Sequence, residues 1–119
     1  MVQLANQKCV ACRVDSPPLT SAEISELKPQ IPGWNLIERD EVRYLRRSFQ
    51  FMDFGGAMKF ADEVGRVSES EGHHPQLVVE WGWVTITWWT HAIRDLHRND
   101  FIMALKSAQL YRCLSSTGS

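Results

Sequence analysis

No closed disulfide framework can be drawn from this chain, because its 119 residues include only three cysteines. Cys9 and Cys12 form a C-x-x-C pair, but Cys113 stands alone, and a zinc ribbon needs a second pair. A basic excess is missing too. The formal net charge is -1, which removes the electrostatic footprint of a nucleic-acid binder. No apolar run approaches the roughly 20 residues of a membrane span, so neither nucleic acid nor membrane is expected as a partner. The opening stretch "MVQLANQKCVACRVDSPP" lacks a charged-then-apolar signal pattern, and a cytoplasmic location is expected. In a reducing compartment the C-x-x-C pair reads as part of an N-terminal extension rather than as a metal or redox centre.

What is there is an ordinary globular composition, 44% hydrophobic and 23% charged, of a size that builds one core. Residues 1–18 carry no sustained periodicity and are expected to form a flexible leader. "TSAEISELKPQIP" opens with Thr20 and Glu23 in capping-box spacing, and Pro29 and Pro32 stop the helix within about two turns. "GWNLIERDEVRYLRRSFQF" reads as a hairpin turning near Asp40-Glu41. It sets Leu45, Arg47, Phe49 and Phe51 on one face. Arg43, Arg46 and Arg47 are read as its solvated side, with an anionic ligand as the alternative.

Asp53 is positioned to cap a long helix ending near Gly72. Its core stripe is expected at Phe54, Ala57, Met58, Ala61, Val64 and Gly65, with close packing at Gly55, Gly56 and Gly65 to offset their low helix propensity. "QLVVEWGWVTITWWTH" predicts a second hairpin with a two-residue Gly82-Trp83 turn, glycine first as a type II′ turn wants. That register sets Leu77 opposite Trp88 and, extended, His74 opposite His91. One face is uniformly apolar; the other, carrying Gln76, Thr87 and Trp89, is mixed. "NDFIMALKSAQLY" predicts a last helix capped by Asn99, and residues 112–119 a frayed tail. The domain is thus expected over 19–111. Its class is α+β, a two-layer sandwich of a four-stranded antiparallel sheet with helices on one face, in the order α-β-β-α-β-β-α.

Three of the chain's four histidines, His73, His74 and His91, lie close to this second hairpin. They could be metal ligands completed by Glu69 and Glu71, acid–base catalysts, or polar residues at a sheet edge. Adjacent histidines do not converge on a metal in regular structure. Imidazoles clustered by strand register suit proton transfer near neutral pH. Nucleophilic catalysis fits less well, since no Ser or Cys near them has an evident activating context.

Glu69, His73-His74-Pro75, Trp81, His91 and Asp100, at these spacings, resemble the signature of the pterin-4a-carbinolamine dehydratase family. "IPGWNL" and "THAIRDLHRNDFIMALK" extend the resemblance to residues 20–111, and the "CVAC" leader is similar to the extension of some bacterial members. The resemblance implies a hydro-lyase that dehydrates 4a-hydroxytetrahydropterin to quinonoid dihydropterin, recycling the pterin used in aromatic amino-acid hydroxylation. It implies catalysis by His73, His74 and His91, with His73 and His91 the acid–base pair and His74 orienting substrate. Glu69, Pro75, Trp81, Trp89, Thr90 and Asp100 would bind or support. Asp100 would fix a histidine tautomer or the site wall, while Trp89 could lie against the pterin or merely cover sheet. For His73 to join the site, the chain must turn between Gly72 and Pro75. The resemblance also implies no metal or organic cofactor, the pterin being substrate, a homodimer or homotetramer, and a functional link to phenylalanine hydroxylase. The alternatives are a binding or regulatory partner on the same fold, or a dehydratase-like enzyme acting on another pterin.

Overall fold

A computed structural model describes Leu4 and residues 7–10 and 16–116; Cys12 lies outside the described residues. The element order is α1 (Ser21–Leu27), a 3₁₀ turn (Lys28–Gln30), β1 (Asn35–Arg39), β2 (Val42–Gln50), α2 (Phe54–Glu71), β3 (Gln76–Glu80), β4 (Trp83–Trp88) and α3 (Arg98–Ser116). The four strands form one antiparallel sheet in the order β1-β2-β4-β3. This is the expected α+β sandwich. Among the described residues no helix is long and apolar enough to cross a membrane.

Local chemistry sets most boundaries. Thr20 and Glu23 close a reciprocal capping box on α1, and the Thr20 backbone N–H holds the Glu23 carboxyl below its usual range. Asp53 caps α2 by accepting the Gly56 N–H at 2.7 Å. The β1–β2 turn is Asp40-Glu41, both with positive φ (54° and 65°), as a type I′ hairpin turn requires. Leu45 and Phe49 of β2 and Val84, Ile86 and Trp88 of β4 turn to the helices, meeting Ala57, Phe60, Ala61 and Val64 of α2 and Phe101 and Ala104 of α3.

Several expectations need correction. The β3–β4 turn is Trp81-Gly82, with Gly82 second at φ 80°, so Leu77 pairs with Ile86 and the register is displaced by two residues. Because strand side chains alternate with period two, the faces survive this slip, but His74 does not lie opposite His91. The core stripe of α2 includes Phe60, fully buried, while Phe54 and Met58 are exposed. A side chain at Gly65 would meet nothing within 4 Å, so no close packing compensates there. Helix α3 runs on as far as Ser116 rather than ending in a tail at 112. The three arginines are engaged: Arg43 is bidentate to Asp95 (2.6 and 3.0 Å), Arg46 donates to Thr87, and Arg47 lies over the Phe49 ring.

The leader is not loose where it is described. Leu4 is 1% exposed within the core, and its N–H donates to Gln30 Oε1 at 2.8 Å. Further along, the Cys9 N–H donates to Glu71 Oε1, also at 2.8 Å.

Candidate active site

Helix α2 ends in a Schellman turn. Gly72 takes the left-handed conformation (φ 67°), and the His73 N–H reaches back to the Ser68 carbonyl at 3.1 Å. Glycine is suited to this conformation, and the reversal throws His73 inward before Pro75 leads into β3. His73 is therefore buried, its ring parallel to that of Trp88 at 5.7 Å. Its Nε2–H donates to Asp100 Oδ1 at 2.7 Å. His74, one residue on, points outward and donates to Glu69 Oε1 at 2.7 Å.

Asp100 lies in the first turn of α3 and is fully buried. A buried carboxylate must be hydrogen-bonded. Besides His73, its Oδ2 accepts the Thr90 hydroxyl at 2.7 Å and the His97 backbone N–H at 2.9 Å. The latter bond runs from the helix-start residue to the third helical residue. His97 in turn accepts the Asn99 N–H on Nδ1 at 3.1 Å. His97, not Asn99, therefore caps α3, and burial pushes its imidazole below the ordinary histidine range.

A cavity of about 340 Å³ is lined by Gly72, His73, His74, Thr90, His91, Ala92, Asn99 and Val10. The three signature histidines thus share one cavity, although not by direct strand opposition. His91 is exposed at its rim with its ring on Trp89, the centroids 4.4 Å apart. Trp89 is steadied by Tyr44 edge-on at 5.0 Å. The geometry offers a histidine oriented by a carboxylate, a second on an aromatic support and a third tethered at the mouth, an arrangement fit for proton transfer to and from a bound molecule.

Two expected site residues lie elsewhere. Trp81 occupies the β3–β4 turn, outside the cavity lining. Pro75 shapes the chain and does not line the cavity. Conversely, Trp88 behind His73, and Val10 and Asn99 in the wall, carried no readable signal, because their roles depend on contacts between distant segments. Glu71, a possible metal ligand by sequence, faces the Cys9 N–H. Among the described residues no group of three or more His, Cys, Asp and Glu converges as a metal shell.

Residues 17–110 match the family model described as pterin 4 alpha carbinolamine dehydratase. A protein of Nitrosococcus oceani, provisionally named a pterin-4-alpha-carbinolamine dehydratase, is 48% identical over 112 residues, covering 94% of this chain and 99% of its own. One of Gloeobacter violaceus, provisionally named likewise, is 51% identical over 106 residues, covering 89% and 91%. The crystal structure of a transcriptional coactivator/pterin dehydratase from Brucella melitensis superposes with a TM-score of 0.72 at 28% identity, over 80% of this chain and 99% of that one. A pterin dehydratase-like protein identified as a RuBisCO assembly factor in the alpha-carboxysome shares the fold alone (TM-score 0.58, 23% identity, covering 69% and 93%). With residues 17–110 matched by the family model and a relative 48% identical over 94% of its length, the chain belongs to the pterin 4 alpha carbinolamine dehydratase family.

Proposed function

We propose that this chain dehydrates a 4a-hydroxytetrahydropterin to the quinonoid dihydropterin and water, and so returns the pterin used by an aromatic amino-acid hydroxylase such as phenylalanine hydroxylase. The observation that carries the reading is the His73–Asp100–Thr90 network in a cavity shared with His74 and His91. In this reaction the C4a–O bond breaks, its oxygen takes a proton and leaves as water, N5 gives up its proton, and an N5–C4a double bond forms. One base and one acid suffice. His73 Nε2–H is committed to Asp100, which leaves Nδ1 as the lone pair for the N5 proton. Asp100 then stabilises the resulting imidazolium, the role a carboxylate plays behind a general-base histidine. His91 protonates the departing hydroxyl, and His74, held by Glu69, binds and orients the ring from the mouth. The scheme draws its acid and its base from histidines alone and calls on no metal or organic cofactor.

The test follows loss of enzymatically generated 4a-hydroxytetrahydropterin, with the uncatalysed dehydration subtracted. His73→Ala and His91→Ala should each lower kcat by roughly 10²–10⁴, and the double variant should lose less than the product of the two. His74→Ala should act mainly on KM. Full activity in all three single variants would return the histidines to being the polar edge of a sheet.

A further inference from the structure

The N-terminal arm crosses the cavity at one point. The buried Asn99 side chain clasps the Val10 backbone with two bonds, Oδ1 accepting the Val10 N–H at 3.1 Å and Nδ2 donating to the Val10 carbonyl at 2.7 Å. One residue earlier, the Cys9 N–H is bound to Glu71 at the end of α2. Glu71 lies two residues before His73, and Asn99 one before Asp100. The arm therefore ties together the two chain segments that carry the His73–Asp100 pair. Its far end is anchored by Leu4 in the core.

The backbone of Val10 is pinned twice, yet this apolar residue is 63% exposed at the cavity that holds the three histidines. An apolar side chain carried on a fixed backbone and largely exposed at a cavity mouth gains from a ligand that covers it. We infer that Val10, held by the N-terminal arm, is a built-in wall of the pterin cavity and a specificity-determining contact, with Asn99 the positioning residue that holds it. This rests on the reading proposed above. In a pterin, N5 is bonded to both C4a and C6, so a histidine set that reaches C4a and N5 places the C6 substituent close by. A lone valine suits the carbon chain of that substituent rather than the polar edge of the pyrimidine ring.

The experiment compares two 4a-hydroxytetrahydropterins, one with a methyl and one with a dihydroxypropyl group at C6, on the full chain and three variants. Val10→Ala opens space while keeping the backbone clasp. It should shift the ratio of kcat/KM toward the larger substituent by about three- to tenfold, the scale on which pocket methyl groups discriminate. Asn99→Ala and deletion of residues 1–10 should raise KM about tenfold while changing kcat less than about threefold. A merely structural arm would lower Tm and the amount of active protein, and hence kcat, with KM and substrate preference unmoved. Unaltered KM and preference in an active chain would overturn this inference alone, and Val10→Ala decides it even if the other two variants fail to fold. A full chain without dehydratase activity would overturn both this inference and the function on which it rests.

Discussion

Asp100 concentrates more of the chemistry than any other side chain. One buried carboxylate orients His73, receives Thr90 and closes the cap of α3 through the His97 N–H. The site and the start of the helix are therefore one hydrogen-bonded unit. His97 completes it from outside the histidine cavity, its Nδ1 accepting the Asn99 N–H as a helix-capping group does. A protonated imidazole has no lone pair there, and burial already holds this ring below the ordinary histidine range. The unfolded chain binds this proton more readily, so the contribution of His97 to stability is complete above the unfolded value near pH 6.5. It is lost as pH falls from there through the lower folded value. Denaturant midpoints measured between pH 5 and 8 should fall more steeply on the acid side for the wild type than for His97→Asn, which keeps a capping acceptor that does not titrate. Equal slopes would remove His97 from this account. Activity at neutral pH should be nearly untouched, since the ring does not line the histidine cavity.

Elements were legible in sequence where a local rule decides them. Thr20 with Glu23, Asp53, Gly72 and Asp40-Glu41 each fix a cap or turn from within a few residues, and each stands where the sequence put it. Gly82 was ambiguous, because a glycine serves either central position of a two-residue turn. The two-residue slip that resulted preserved both faces of the hairpin but misplaced His74 relative to His91. Helix α2 shows the limit of periodicity. Phe54, Met58 and Phe60 all fit an amphipathic pattern when it is drawn broadly, and only the position of β2 and α3 selects Phe60, which packs against Phe49 and Tyr111. Gly65 belongs to the same misreading. With open space where its Cβ would be, Gly65→Ala should stabilise the protein by roughly 0.5–1 kcal/mol through helix propensity and a less flexible unfolded chain. Thermal unfolding of the variant checks this, and a lowered Tm would reveal a contact at that position.

On the scale of the whole molecule, the arm was unreadable because its contacts to the rest of the chain span 26 to 90 residues and follow no period. Assembly is proposed from the resemblance, and the exposed surface offers a place for it. Strands β1 and β3 are the two sheet edges, and β3 has five residues with Val78 exposed. The Phe51 N–H bonds the Gly82 carbonyl at 2.8 Å, which brings the start of α2 beside the β3–β4 turn. Trp81 is 72% exposed there and Met52 94%, with Phe54 and Met58 following on the helix. Large apolar side chains gathered at one end, beside a short open edge, are features that association covers. The chain should therefore be a homodimer or homotetramer, and Trp81, although outside the cavity, should be one of its contacts. Light scattering at micromolar concentration should give two or four chains for the wild type and a smaller species for Trp81→Lys. Dehydratase activity per chain should change less than about twofold, since the histidine cavity is built within one chain. A monomeric wild type would defeat the assembly proposal. An unchanged oligomer in the variant would place the interface away from this end of the molecule.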